Sequence, residues 1–133
     1  MKKSVRGYIF GKKFMGERAP QQVQNIIIRD FCQKNQLQYK LSLVEYVFNG
    51  STFMLKEGLK EIKKLHGIVL YSLFQLPENE QDRNSICNSI LKKKKKFFFA
   101  LENMEMASKN DLEKINTLWL IKKELPKCYK FKD

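Results

Sequence analysis

The sequence predicts an α/β fold in three layers: a four-stranded, mainly parallel sheet with helices on both faces. Two observations carry this. Four short apolar runs, Val5–Phe10, Leu41–Val44, Gly67–Leu70 and Phe97–Leu101, each end at polar or aromatic residues: Gly11, Glu45–Tyr46, Tyr71–Ser72 and Glu102–Asn103. Helical-looking segments separate them, and alternation of strand and helix is the pattern of a parallel sheet covered by helices. Ligands in such sheets bind in the crevice outside the carboxyl ends of the strands. All four polar clusters fall at that edge, so the sequence places a site and leaves open what reaction, if any, occurs there.

The first strand, Val5–Phe10, runs into a loop holding Gly11, Lys12, Lys13, Gly16, Glu17 and Arg18. The first helix begins near Pro20, a residue tolerated in a first turn, and reaches about Asn35. Val23, Ile27 and Phe31, with Ile26 beside them, mark its expected buried face. The second strand, Tyr39–Val47, alternates at Leu41 and Leu43 with Glu45 in phase, which suits a sheet edge. Ser51 or Thr52 is the expected cap of the second helix, whose stripe is Leu55, Leu59, Ile62 and Leu65. Gly67 ends that helix and opens the third strand, Gly67–Leu73.

Leu76-Pro77 turns the chain, and Asn79 with Asp82 forms a capping pattern for the third helix, which turns Ile86 and Ile90 inward. The Lys92–Lys96 run follows at its carboxyl end, where cations complement the helix dipole. Chain direction puts this run at the amino-terminal edge of the sheet, away from the polar clusters. The fourth strand, Phe97–Leu101, is apolar on both faces and reads as central. Ser108 and Asp111 box the start of the fourth helix, which points Leu112, Ile115 and Trp119 inward and ends before Pro126. No fifth strand is legible, and the expected order is 2-1-3-4.

At 133 residues the chain fits a single domain, 1–133, with a real core. Hydrophobic content of 43% beside 30% charged residues is that of a soluble globular protein. No apolar run approaches the roughly 20 residues that span a bilayer, and the basic start, Met1-Lys2-Lys3-Ser4, lacks a signal-peptide core. A cytoplasmic location without membrane insertion is expected. Net charge is +12, which raises nucleic-acid binding as a class, but of the 26 cations only Arg6, Arg18, Arg29 and Arg83 are arginine. Base-edge recognition leans on arginine forks, and a coding bias toward A and T alone enriches Lys, Asn, Ile and Phe. Nucleic acid is therefore the less favoured partner. Cys32, Cys87 and Cys128 are odd in number and widely spaced, which fits reduced thiols.

Gly11 and Gly16 have the G-x-x-x-x-G spacing of a phosphate loop, yet Glu17 and Arg18 stand where it needs Lys and Ser or Thr. That excludes nucleotide hydrolysis and leaves Lys12, Lys13 and Arg18 beside a helix amino terminus, a weaker anion site; the alternative is a solvated basic loop. Gln21, Gln22, Gln24 and Asn25 crowd the first turns of that helix, uncharged and rich in donors and acceptors, which suits hydroxyl recognition; a plain exposed face is the alternative. Strand order 2-1-3-4 places Glu102 near Ser72 and puts Glu45 on the far side of strand 1. Either carboxylate, Glu45 or Glu102, is a candidate acid or base, with Ser72 the nearby hydroxyl. The only histidine, His66, precedes strand 3 at the opposite edge, where a helix C-terminal cation is expected, so a nucleophilic triad is not. Cys32 and Cys87 have no adjacent His and read as inert. Phe14, Met15, Met104 and Met106 are candidate exposed apolar residues at the site edge. Metal ligation is not expected with one His and dispersed carboxylates, and no cofactor is implied.

Two resemblances add to this. The order of elements, and GIVLYSLFQL (Gly67–Leu76) in particular, resembles the catalytic domain of serine recombinases, a flavodoxin- or resolvase-like arrangement. That family's Tyr-x-Arg-x-Ser pattern reads Tyr8-Ile9-Phe10-Gly11-Lys12 here, and its Leu-Asp-Arg-Leu-x-Arg pattern reads Leu73-Phe74-Gln75-Leu76-Pro77-Glu78. The arginine, the nucleophilic serine and the later charged groups are missing, so this likeness implies fold and not DNA joining. RGYIFGKKFMGERAPQQVQNIIIRDFC (Arg6–Cys32), LVEY (Leu43–Tyr46) and GIVLYSLFQLP (Gly67–Pro77) resemble the sporadic carbohydrate cluster proteins of bacterial surface-polysaccharide gene clusters. This second resemblance implies a protein of surface-polysaccharide synthesis that binds or modifies a sugar-derived small molecule, a sugar or nucleotide-sugar metabolite that can carry an anionic group, at the carboxyl edge of the sheet. Arg18, Gln21, Gln24, Asn25, Arg29, Glu45, Tyr46, Tyr71, Ser72 and Gln75 lie in its blocks. Lys12 and Arg18 would take an anionic group, Gln21, Gln24 and Asn25 the hydroxyls, and Tyr71 would stack on the ring. The alternative classes are a non-catalytic subunit, docking on a biosynthetic enzyme or forming a homo-oligomer, and a weak nucleic-acid binder of degenerate recombinase-like fold.

Overall fold

A computed structural model describes residues 3–11, 19–46 and 52–128, excepting the side chains of residues 125–128. Lys12, Lys13, Phe14, Met15, Gly16, Glu17, Arg18, Val47 and Ser51 lie outside the described residues. The chain order is β1 (Lys3–Phe10), α1 (Gln21–Lys34), β2 (Leu37–Glu45), α2 (Phe53–Lys60), β3 (Gly67–Leu70), α3 (Glu80–Lys92), β4 (Lys96–Phe99), β5 (Met104–Met106) and α4 (Lys109–Cys128). Single 3-10 turns occupy Ile62–Lys64 and Leu73–Gln75. The sheet order is β2-β1-β3-β4-β5, with every pair parallel except β4–β5.

The predicted order and parallel sense of the first four strands hold, and topology then sets the layers. From β1 the chain moves outward to β2, then returns across β1 to β3 and on to β4. Parallel crossovers are right-handed, so reversing the direction of travel moves the connecting helix to the other face. Accordingly α1 alone covers one face, with Ile28, Phe31 and Cys32 packed on Val5, Ile9, Val69, Tyr71 and Phe98. The other face carries α2, α3 and α4, which meet around Leu55, Leu59, Ile86, Ile90, Leu112, Ile115 and Trp119.

Several expectations are corrected. β5 exists and pairs antiparallel to β4 through Phe97↔Met106 and Phe99↔Met104; three residues are too few to show an alternation in sequence. It buries Met106 completely and leaves Met104 half-buried, so neither is an exposed edge residue. It also explains why β4 is apolar on both faces. The buried side of α1 is Gln24, Ile28, Phe31 and Cys32, while Val23 and Ile26 face solvent. The stripe was misjudged because one of its inward residues is a glutamine.

In β2, Leu43 and Glu45 point inward as expected, but Leu41 is 76% exposed, beside a register shift between Arg6 and Tyr8. α2 ends at Lys60, although Ile62 and Leu65 are buried as the stripe requires. Thr52 takes the N-cap position of α2 without a side-chain cap bond. Asn79 does cap α3, its Oδ1 accepting from Asp82 N at 3.0 Å. At α4, Ser108 Oγ accepts from Asp111 N at 3.3 Å, while Asp111 Oδ2 accepts from Ala107 N at 2.9 Å, one residue before the usual box. α4 runs through Pro126 to Cys128, past the end expected before the proline.

Gly67 does not end a helix. It opens β3 at a close backbone approach, since a Cβ there would sit 2.3 Å from Lys96 O of the neighbouring strand. A backbone carbonyl cannot yield, so Gly67→Ala should part β3 from β4 and cost about 1–3 kcal/mol. A lowered urea midpoint at unchanged slope checks it.

Lys92–Lys96 lies where chain direction puts it. Lys96 pairs with Gly67 at the amino-terminal end of β3, and Lys93 Nζ donates to Leu59 O at 3.0 Å.

Candidate functional site

At the carboxyl ends of β3 and β4, Ser72 and Glu102 meet as the strand order implied. Ser72 Oγ donates to Glu102 Oε2 at 2.7 Å, and Leu73 N donates to Glu102 Oε1 at 2.9 Å. Ser72 Oγ also accepts from Phe74 N at 3.1 Å, capping the 3-10 turn. The serine is buried, and both its donor and an acceptor direction are used. In this geometry Glu102 acts as a bracket tying two strand ends together, and the hydroxyl is not presented to a substrate.

At the reversal point between β1 and β3, where open α/β sheets hold their ligands, the described residues place two side-chain amides. Gln24, fully buried in the first turn of α1, bonds both backbone groups of Phe10: its Oε1 accepts from Phe10 N at 2.8 Å and its Nε2 donates to Phe10 O at 2.9 Å. The same Nε2 donates to Ala19 O at 2.8 Å. From the other side Gln75 Nε2 donates to Gln24 Oε1 at 2.9 Å, and Gln75 Oε1 accepts from Ser72 N at 3.4 Å. Buried amides are stable only when their donors and acceptors are matched, and here they match each other and the chain. Tyr71 is buried in the α1-side core and is not placed to stack on a ligand. Lys12 and Arg18 lie outside the described residues.

Glu45 serves another purpose than proton transfer. Its buried carboxylate accepts from Tyr8 OH at 2.8 Å and from Met54 N at 3.0 and 3.1 Å, with Leu55 N at 3.4 Å. A carboxylate on the first amides of α2 replaces the missing Thr52 cap and faces the positive end of the helix dipole. Burial above all, and then Glu45, drives the Tyr8 hydroxyl pKa far upward, so it stays a donor. Asn25 and Arg29 turn to β2. Asn25 Oδ1 accepts from Ser42 Oγ at 2.7 Å and Tyr39 OH at 3.2 Å, and Arg29 lies over the Tyr39 ring at 5.3 Å. Gly7 makes room for this cluster, as a Cβ there would meet Ser42 Oγ at 2.3 Å.

What the edge does expose lies over β1 and β2. A Cβ at Gly11 would stand 2.8 Å from Tyr46 Cδ1 and 3.0 Å from Gln21 Nε2, so ring and amide close over this glycine. Tyr46 remains 56% exposed and Gln21 is exposed. Phe53, at the start of α2, is also exposed, a residue out of phase with the Leu55–Leu59 stripe and legible on that ground. An exposed ring beside a free-facing amide offers an apolar platform and directional hydrogen bonds together.

Sequence reasoning gave Arg83 no role, and the structure gives it one. The guanidinium is buried, donating to Asn116 Oδ1 at 2.8 Å, Pro77 O at 3.0 Å and Glu78 O at 2.9 Å, and it lies 4.8 Å from the Trp119 ring. It holds the β3–α3 connection against α4. A lone arginine three residues after an acidic first-turn residue, Glu80, gave no pattern that marks it.

His66 is not a helix-end cation. It follows a 3-10 turn, and burial, then Lys3, Lys96 and Lys95, lower its pKa, with Glu105 opposing. Burial pushes the Cys32 thiol up to about 11 and Cys87 up to about 12, as inert buried thiols require. Among the described residues no three His, Cys, Asp or Glu side chains are placed to hold a metal ion, and no helix is long and apolar enough to cross a membrane.

No protein-family model matches the chain, and no curated protein matches it. Among solved structures it is similar to the N-terminal catalytic domain of TP901-1 integrase, with TM-score 0.70 and 16% identity over 92% of this chain and 98% of that one. At that identity the likeness is one of fold.

Proposed function

We propose that the protein binds a sugar-derived metabolite of surface-polysaccharide synthesis at the carboxyl edge of the sheet, and that it binds rather than transforms it. The exposed Tyr46 ring over Gly11, beside the Gln21 amide, carries this reading. A pyranose has an apolar C–H face that rests on an aromatic ring and hydroxyls that an amide can bond. Tyr46 thus takes the stacking role first given to Tyr71. The sequence blocks resembling the sporadic carbohydrate cluster proteins supply the polysaccharide context, and Lys12 and Arg18, in the connection that leaves Gly11, would supply charge for a phosphate or carboxylate. Binding is favoured over catalysis because Glu45, Ser72 and Glu102 are committed to internal hydrogen bonds.

Calorimetry with a panel of nucleotide-sugars and sugar phosphates tests this. Loss of a stacking contact of about 1–1.5 kcal/mol should make Tyr46→Ala bind some 5- to 10-fold more weakly, with the unfolding midpoint unchanged. A panel member bound equally by wild type and variant would remove Tyr46 from the site. The competing reading, a subunit docking on a biosynthetic enzyme, is favoured by the exposed Phe53 at the same edge. It requires that no panel member binds and that the chain sediments as an oligomer.

A further inference from the structure

The opposite edge of the sheet holds a second concave feature. Between the starts of β1 and β4 lies a cleft of about 300 Å³, lined by Lys3, Asn35, Gln36, His66, Lys96 and Glu105 with Leu37 and Phe98 behind them. We propose that this cleft is a binding site for a small phosphate-bearing ligand.

The charges come from separate elements. Lys3 opens β1, His66 precedes β3, Lys95 and Lys96 precede and open β4, and Glu105 lies on β5. Only Glu105 opposes the lysines, and it pairs with Lys96 at 3.2 Å. Lys3 and Lys95 have no ion-pair partner among the described residues. α1 also ends here, and its carbonyl end offsets about half an elementary charge. One carboxylate and half a charge do not balance three lysines, so the cleft is left electropositive. The imidazole senses that field, since all three lysines push it toward its neutral form.

Like charges gathered around a cavity oppose folding unless a counter-charge relieves them. A phosphate would be bonded by the Lys3 and Lys96 ammonium groups, by the imidazolium once protonated, and by the side-chain amide of Gln36, while the Asn35 amide beside it already donates to Phe31 O at 2.8 Å. The volume suits a phosphate with a small attached group. A polyanion would instead track the Lys92–Lys96 ridge beside the cleft. The site is independent of the sugar reading, which concerns the other edge.

His66 is the chain's only histidine, so its ring protons report the cleft without assignment. The test follows their NMR shift against pH in chloride, in sulfate and in inorganic phosphate at matched ionic strength. Sulfate keeps its charge across the range and isolates the imidazole. Both anions should raise the His66 midpoint by about one pH unit. By linkage, sulfate should then bind about tenfold more tightly below the titration than above it. Lys3→Gln and Lys96→Gln, each a substitution outside the buried core, should each remove much of that rise. Identical midpoints in chloride and sulfate overturn the proposal, as does a rise that survives both substitutions together. A midpoint moved by a 20-base-pair duplex but not by phosphate also overturns it and assigns the edge to nucleic acid.

Discussion

Replacing Gln24 with Leu is expected to destabilise the fold by about 3–5 kcal/mol, although Leu is of similar size and at least as good a helix former. The position is fully buried, and hydrophobic scales would call the change favourable. The loss comes from the partners left behind: Phe10 N and O, Ala19 O and Gln75 Nε2 each lose a hydrogen bond at 2.8–2.9 Å. Buried polar groups stripped of a partner cost about 1–3 kcal/mol each, partly recovered by relaxation or entering water. Urea unfolding should show a midpoint shift at constant slope. A loss below about 1 kcal/mol would mean that this network is less buried in solution than its geometry implies.

Glu45→Leu should cost a similar amount, about 3–5 kcal/mol, by a different route. It removes the carboxylate that accepts from Met54 N and Leu55 N at the start of α2, and leaves the Tyr8 hydroxyl without this acceptor in the core. It also deletes a negative charge from the positive end of a helix dipole, worth about 0.3–1 kcal/mol within that total. Glu45→Gln keeps an acceptor and should lose roughly half as much. The distinguishing measurement is the stability of Glu45→Gln itself. A capping carboxylate loses stability on this change, whereas a carboxylate kept for proton transfer would leave the unfolding midpoint where it was.

How far the sequence was legible follows from what each residue type can announce. The parallel sense of the first four strands and the edge position of β2 came from the alternation of strand with helix and of residues along β2, which depend on many residues at once, and the meeting of Ser72 with Glu102 followed from the expected order. Asn79 and the inward Ile86 and Ile90 were legible because caps and stripes are local. β5 was not, because three residues carry no period. The inward face of α1 was misjudged because periodicity equates polar with exposed, and Gln24 breaks that rule through bonds to a strand it does not adjoin in sequence. The same limit governed the site. Glu45, Asn25, Gln24 and Tyr71 have the right chemistry for ligand binding, but whether a polar group is free or already engaged is a tertiary fact. His66 was misjudged likewise, since its burial first, and then lysines remote in sequence, lower its pKa.

The two margins of the sheet are unequal, and this bears on self-association. β5 ends one side with three residues, flanked by the Lys96–Glu105 ion pair. β2 ends the other with nine residues and with Leu41 turned to solvent. A long edge strand is a template for adding a strand from another chain, whereas a short one closed by charges is a poor one. Lys40, exposed midway along β2, is the charge that restrains such growth. Loss of that lysine would therefore be felt first as cross-chain aggregation at high protein concentration, well before any loss of folding stability.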